Sequence, residues 1–273
     1  MHSIIPRGIW QFRKYSWFIR TLPNFLLIGA QKSGTTSLYY FLSQHPHIRP
    51  SCLKEVHFFN GGMDPGIDCY DKGLKWYRSH FPINILRHNI KTFEATPGYI
   101  FNPLSPKRIF ETFPEIKIII MLRNPTERAI SHFFHEKLAK REPLSILEAM
   151  KMEEKRLECI INDDDFKNIK FICYTYKSRG HYKIQIERYL KYFSFNQIMI
   201  VNSEEFFSET KRILRDVFEF VGVDPINMEY DLIPQNVSKN RTSVPPIVYE
   251  YLDTYFYPHN QELYKLVKRD FGW

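Results

Sequence analysis

Several things are scarce in this chain of 273 residues. No apolar stretch reaches the ~20 residues that a helix needs to cross a bilayer. The opening segment, residues 1–22, has neither an uninterrupted apolar core nor a small-residue cleavage site, which argues against a signal peptide. Glycine is sparse at 11, and no Gly/Ser linker, internal repeat or low-complexity tract divides the chain. Only four cysteines occur, Cys52, Cys69, Cys159 and Cys173. None forms a C-x-x-C pair, so a zinc site is not expected, and they read as reduced, mostly buried thiols. Acid is also in deficit. Lys plus Arg number 38 against 30 Asp plus Glu, a net charge of +8. That excess suits an anionic ligand or polymer, a nucleic acid or a membrane surface, without choosing among them.

What remains is ordinary for a globular protein. Apolar residues make up 44% and charged ones 25%, with aromatics rich at 16%. One large domain over residues 23–273 is the expectation, preceded by the basic aromatic segment "MHSIIPRGIWQFRKYSWFIRTL". A complete chain of this kind is expected in the cytoplasm; a trimmed catalytic domain points to the Golgi lumen. Asn236-Val-Ser and Asn240-Arg-Thr match glycosylation sequons, which matter only outside the cytoplasm.

Hydrophobic patterning predicts three buried strands, "NFLLIGA", "IKIIIML" and the start of "QIMIVNSEEF". Helical periodicity follows the first in "GTTSLYYFLSQHP" and the second in "RNPTERAISHFFHEKLAK", with Pro125 near the helix start. Further helical patterns fill 144–158, 181–193, 208–221 and 246–268. Strands alternating with helices indicate a single α/β domain, a central parallel sheet flanked by helices. Ligands bind such sheets beyond the carboxyl ends of the strands.

Two strand-to-helix turns carry candidate anion sites there. In "GAQKSGTTSL" the glycines Gly29 and Gly34 are spaced almost as in a Walker loop, but Thr35 fills the lysine slot and Lys32 lies inside the loop. Backbone amides, the hydroxyls of Ser33, Thr35 and Thr36, a helix start and Lys32 together make a phosphate cradle. In "LRNPTERAISHFFH", Arg123 directly follows a strand, where a guanidinium can grip a phosphate through two hydrogen bonds. Ser131 and His135 share one helix face, and Arg128 lies a turn before Ser131 and His132. A third segment, "CLKEVHFFNGG", concentrates Lys54, Glu55 and His57; if extended, alternation puts Glu55, His57 and Phe59 on one face. A carboxylate beside an imidazole can act as a general base. The loop "NVSKNRTSVPP" and the basic aromatic helix "YKSRGHYKIQIERYLKYF" complete the set.

Together these segments resemble the sulfotransferase family that uses 3′-phosphoadenosine 5′-phosphosulfate (PAPS). The nearest likeness is to the glycosaminoglycan branch, the heparan sulfate N-deacetylase/N-sulfotransferase and 3-O-sulfotransferase domains. "IGAQKSGTTSLYYFLSQHP", "KEVHFFN", "MLRNPTERAISHFFH", "YKSRGHYKIQIERYLKYF" and "FYPHNQELYKLVKRDFGW" stand in the family's order. The resemblance implies that Lys32, Ser33, Gly34, Thr35 and Thr36 hold the 5′-phosphosulfate, with Lys32 stabilising the departing oxygen. It implies that Arg123 and Ser131 bind the 3′-phosphate and that Lys239, Asn240, Arg241, Thr242 and Ser243 close over the nucleotide. Glu55 matches the catalytic base, and His57 and His135 match active-site positions. Lys54, Glu55, His57, Thr96, Arg179 and His181 are the expected acceptor residues. The product would be 3′,5′-adenosine bisphosphate, with no metal, no nucleic acid and no integral membrane segment involved. Ala95 stands where the glycosaminoglycan enzymes carry an acceptor-site lysine, and their disulfide-bonded hairpin has no counterpart. A carbohydrate is the leading acceptor class, with a lipid-linked glycan or small alcohol open. Two other readings stand beside this one: a P-loop kinase and a non-catalytic polyanion-binding module.

Overall fold

The computed structural model describes residues 6–84, 90–162, 165–225, 230–235 and 244–273. Among these, helix α1 (Arg7–Tyr15) precedes strand β1 (Phe25–Gly29), helix α2 (Thr35–Gln44), strand β2 (Ile48–Pro50) and helix α3 (Gly73–Arg78). Next come β3 (Lys91–Ala95), α4 (Ser105–Thr112), β4 (Lys117–Leu122) and α5 (Pro125–Leu138). The chain continues through α6 (Ile146–Lys151), α7 (Glu153–Asn162), α8 (Ile169–Tyr174), α9 (Tyr182–Leu190) and β5 (Ile198–Asn202). It ends with α10 (Ser203–Ser208), α11 (Thr210–Val221) and α12 (Pro246–Val267). No described helix is long and apolar enough to cross a membrane.

The five strands form one parallel sheet in the order β2-β3-β1-β4-β5. Every residue of β1 is buried, because helices cover both faces of the sheet. Leu26 and Ile28 point into a cluster with Ile118, Ile120, Tyr99 and Tyr189 on the α9 side. Phe25 and Leu27 point the other way, toward Leu38, Phe41, Ile119 and Val217 of α2, β4 and α11. A third cluster knits α5, α6 and α12 through Ile130, Phe133, Met150, Val248 and Leu252. The connection leaving β1 runs toward β2, and that leaving β4 runs toward β5 on the opposite side. The carboxyl ends of β1 and β4 therefore flank the crevice where open α/β sheets bind ligands.

The expected α/β class, parallel sheet and strand-loop-helix turns are all present. Two strands escaped the sequence reading. β2 is three residues long, too short for a period. β3 carries Thr92 and Glu94 at buried positions. Asn24 Oδ1 accepts from the Thr92 amide, and Thr92 Oγ1 donates to the Leu22 carbonyl, so polar side chains are satisfied inside the sheet. The pattern over 144–158 divides into α6 and α7, and the one over 208–221 is preceded by α10. The expectation of mostly buried thiols fails: all four cysteines are free, but only Cys173 is buried and Cys159 is exposed.

Where β1 ends, Gly29 sits against the neighbouring chain. A Cβ there would lie 2.3 Å from Ile100 Cγ2 and 3.0 Å from the Pro97 carbonyl oxygen. Gly29→Ala is expected to cost about 1–3 kcal/mol in urea unfolding, as overpacking does; an unchanged midpoint would contradict this close seating.

Candidate active site

The first wall of the crevice is the turn from β1 into α2. Gly34 adopts the left-handed region at φ 88°, and its missing Cβ leaves room for the Phe207 ring, 2.9 Å from where that Cβ would lie. No side chain caps the start of α2. Its first-turn amides, which lack intrahelical partners, remain available to an anion. Thr35 is buried and Thr36 half-buried at this helix start, with buried Ser33 just before it. Lys32 is partly buried, also in the left-handed region at φ 69°. Burial lowers its pKa, and the cations Arg123 and Arg128 add to that against the pull of Glu136 and Glu55.

Arg123 forms the second wall at the end of β4. Its Nη1 donates to the Lys32 carbonyl at 3.3 Å and its Nη2 to Glu127 Oε2 at 3.2 Å. The Tyr182 hydroxyl holds the Arg123 carbonyl at 2.9 Å. Asn124 caps α5 by accepting from the amides of Thr126 and Glu127. That cap and Pro125 fix the helix direction, so Ser131 and His135 follow one turn apart. Buried Arg128 donates to the Tyr176 carbonyl, while its Nε and Nη1 have no hydrogen-bond partner among the described residues. Cations at two adjacent strand ends, with an uncapped helix start between them, fit a ligand bearing two separate anionic groups.

The Glu55 segment is not the extended strand expected. Glu55 and His57 both lie in the left-handed region, at φ 65° and 57°. Phe59 turns into the core, fully buried, while Glu55 stays a third exposed. Non-glycine residues held this way concentrate at functional sites. The bend still achieves the juxtaposition: His57 Nε2 lies 3.6 Å from Glu55 Oε2, and Lys54 Nζ donates to Glu55 Oε1 at 2.6 Å. Burial would raise the Glu55 pKa, but the hydrogen bonds and charges of His57 and Lys54 outweigh it and pull it down to about 2. Asn60 Nδ2 lies 3.1 Å from His57 Nδ1 and holds the ring from behind.

Beneath this loop is a polar platform that the sequence reading missed. Glu94 is fully buried and accepts from Tyr77, Tyr99 and Thr96 hydroxyls at 2.5–2.6 Å. The Tyr99 oxygen in turn accepts from the Phe58 amide at 2.9 Å. Burial raises the Glu94 pKa. The sequence reading noted the triplet Glu94-Ala95-Thr96 but not the burial of Glu94, because β3 itself was not recognised. Glu136 was also missed: its buried carboxylate lies 3.6 Å from His132 Nε2 and 3.9 Å from His135 Nε2, and it pairs with Arg141 at 2.6 Å.

The structure thus gathers Lys32, Arg123, Glu55, His57, Lys54 and His135. Burial, then the Lys32 charge, lowers the His135 pKa, keeping it neutral at pH 7. Three expected acceptor residues are engaged with other groups of the protein. Thr96 is fully buried and spent on Glu94. Arg179 is buried over the Phe101 ring and donates to Thr175 Oγ1; burial brings its pKa down to about 9. His181 contacts the Tyr255 hydroxyl at 2.9 Å, and burial followed by His259 takes its pKa to about 4. In the folded chain these three support neighbouring segments rather than line an open face. Residues 239–243, Lys239 to Ser243, lie outside the described residues.

A sulfotransferase-domain profile matches residues 22–263. The chain belongs to the sulfotransferase family. It is 32% identical over 275 residues to the bifunctional heparan sulfate N-deacetylase/N-sulfotransferase 4 of Mus musculus, covering 91% of this chain and 30% of the mouse protein. This sulfotransferase thus spans about a third of that relative's length. It is 28% identical to the human heparan sulfate glucosamine 3-O-sulfotransferase 5, covering 93% of this chain and 75% of that one. A crystal structure of a sulfotransferase from Alicyclobacillus acidocaldarius superposes with a TM-score of 0.74 at 32% identity, over 92% of this chain and 97% of that one.

The depressed Glu55 pKa is testable on the free protein. A carboxyl carbon NMR titration should find Glu55 ionised well below the usual carboxylate range, and both Lys54→Met and His57→Ala should move its midpoint upward. A midpoint at the ordinary value of ~4.3 in the wild type would contradict the geometry.

Proposed function

We propose that this sulfotransferase moves a sulfuryl group from PAPS to a hydroxyl or amine of a carbohydrate acceptor, with Glu55 as general base and Lys32 at the leaving group. The observation that carries the reading is the pairing of the β1 loop with Arg123 at the neighbouring strand end, in electrostatic range of Glu55. Lys32, Ser33, Gly34, Thr35 and Thr36 would hold the 5′-phosphosulfate, and Arg123 and Ser131 the 3′-phosphate. Lys239, Asn240, Arg241, Thr242 and Ser243 would close over the nucleotide. PAPS supplies an activated sulfuryl group, and 3′,5′-adenosine bisphosphate is left.

The protein's own residues do the rest. Glu55 takes the acceptor proton. In the free protein its two partners make it a weak base, so an arriving hydroxyl must displace Lys54 or His57 for its basicity to recover. Lys32 and the first amides of α2 face the negative charge that develops on the departing oxygen, preorganised before the reaction. Neutral His135 orients the acceptor rather than adding charge. No step calls on a metal. Carbohydrate as acceptor rests on the relatives, whose names include heparan sulfate. Ala95, fully buried in β3, takes the place of a lysine there, so the acceptor contacts differ from theirs. A kinase reading is disfavoured because β4 leads into Arg123 rather than a magnesium-binding carboxylate, and a simple polyanion-binding surface leaves the β1 loop without a purpose.

Two variants test this. Glu55→Gln should lower transfer by ~10²–10⁴-fold while leaving the affinity for 3′,5′-adenosine bisphosphate nearly unchanged; near-normal turnover removes Glu55 as base. Arg123→Ala should weaken the bisphosphate by ~10–100-fold but barely affect 5′-AMP, which lacks the 3′-phosphate. Equal weakening of both would take Arg123 out of that role.

A further inference from the structure

We propose that α1 and the turn after it form a docking face for an anionic membrane surface. One side of α1 is anchored to the body. Trp10 packs on Trp76 and His80 with ring centroids 6.4 and 4.7 Å apart. Arg13 donates to the carbonyls of Ser79 and Phe81, and buried Arg20 donates to the Phe81 carbonyl as well. On the other side, among the described residues, the Arg20 guanidinium lies 5.8 Å over the Phe12 ring, and the apolar side chains otherwise stay largely exposed. Ile9, Phe12 and Tyr15 fall within about a third of the helix circumference, by 100° per residue. They are 54%, 59% and 79% exposed, and Phe18 and Ile19 in the following turn are 62% and 42% exposed. Five large apolar side chains in eleven residues, all facing solvent, exceed the scattered exposure usual on a soluble surface.

The charge around this ridge selects its occupant. Residues 6–20 contain no acid; Arg7 and Lys14 are exposed there, while Arg13 and Arg20 serve the anchor. Helix α3 lies alongside, with Lys75 over the Trp17 ring and Lys72 over Trp76, and it adds exposed Leu74. The turn leading into α3 carries two acids, Asp71, exposed, and Asp68, which is paired with Arg108. A helix with an apolar ridge flanked by Lys and Arg suits the boundary between headgroups and acyl chains, where the cations meet lipid phosphates and carboxylates. A second copy of the chain would bring an equally basic face, and like charge disfavours that pairing. Docking would also bring the acceptor loop near the surface. The Cys52 amide donates to the His80 carbonyl at 2.7 Å, beside the α1 anchor and three residues before Glu55.

The test is co-sedimentation of the full chain with vesicles of phosphatidylcholine, with and without phosphatidylserine. Binding is expected only with phosphatidylserine and should weaken as salt rises. The triple variant Ile9→Ser, Phe12→Ser, Phe18→Ser should bind at least about tenfold less, and so should Arg7→Glu, Lys14→Glu, Lys75→Glu, which leaves the apolar ridge intact. Both sets lie on the exposed surface, so thermal melting should be unchanged. Absence of wild-type binding overturns the proposal. So does equal binding by either variant, or a wild-type dimer that the serine variant dissociates while no vesicle binding is seen.

Discussion

The site depends on the contact between two adjacent strand ends. β1 and β4 lie side by side, and where they finish, Arg123 reaches across to the Lys32 carbonyl at 3.3 Å. That bond ties the Lys32 backbone to the Arg123 guanidinium and keeps the two cations in electrostatic range of each other at the mouth of the sheet. Burial first, and then the neighbouring cations, lowers the pKa of Lys32, and behind it Arg128 has two nitrogens without a hydrogen-bond partner among the described residues. The fold bears this charge because both strands are buried over their full length by helices, so the loop has little freedom to relax. A nucleotide with two separate anionic groups, as proposed, would relieve that concentration of positive charge.

The base loop applies the same logic with the signs reversed. Glu55 is held ionised by Lys54 and His57, in a backbone conformation that bulky residues avoid. What keeps it there is the buried carboxylate of Glu94 with its three hydroxyl donors, one of which also grips the Phe58 amide. The geometry around Glu55 thus rests on a polar layer inside the core as well as on Lys54 and His57. Position by position, the site is a cation pair and a carboxylate, each constrained by groups that no solvent reaches.

The parts of this arrangement that were legible in the sequence share one property: they follow long, regular strands. "NFLLIGA" and "IKIIIML" announce their burial by continuous apolar character, so the loop after β1 and Arg123 after β4 could be placed at once. β3 could not, because Thr92 and Glu94 are polar yet buried, satisfied by partners far away in sequence. With β3 unseen, the platform under Glu55 was invisible too. The Glu55–His57 pairing was anticipated for the wrong reason: side-chain alternation predicts an extended segment, while the chain brings them together through two left-handed residues. The partners of Thr96, Arg179 and His181 were not legible either, because motif position says nothing about which way a side chain turns once its neighbours have packed.

The central claim is that the crevice between β1 and β4 is built for a 3′-phosphoadenosine nucleotide and not for a nucleoside triphosphate. Thermal melting of the protein with 3′,5′-adenosine bisphosphate and, separately, with ATP and magnesium tests it most directly. The account predicts a clear rise in Tm with the bisphosphate and little or none with ATP and magnesium; a rise with ATP and magnesium alone would contradict it.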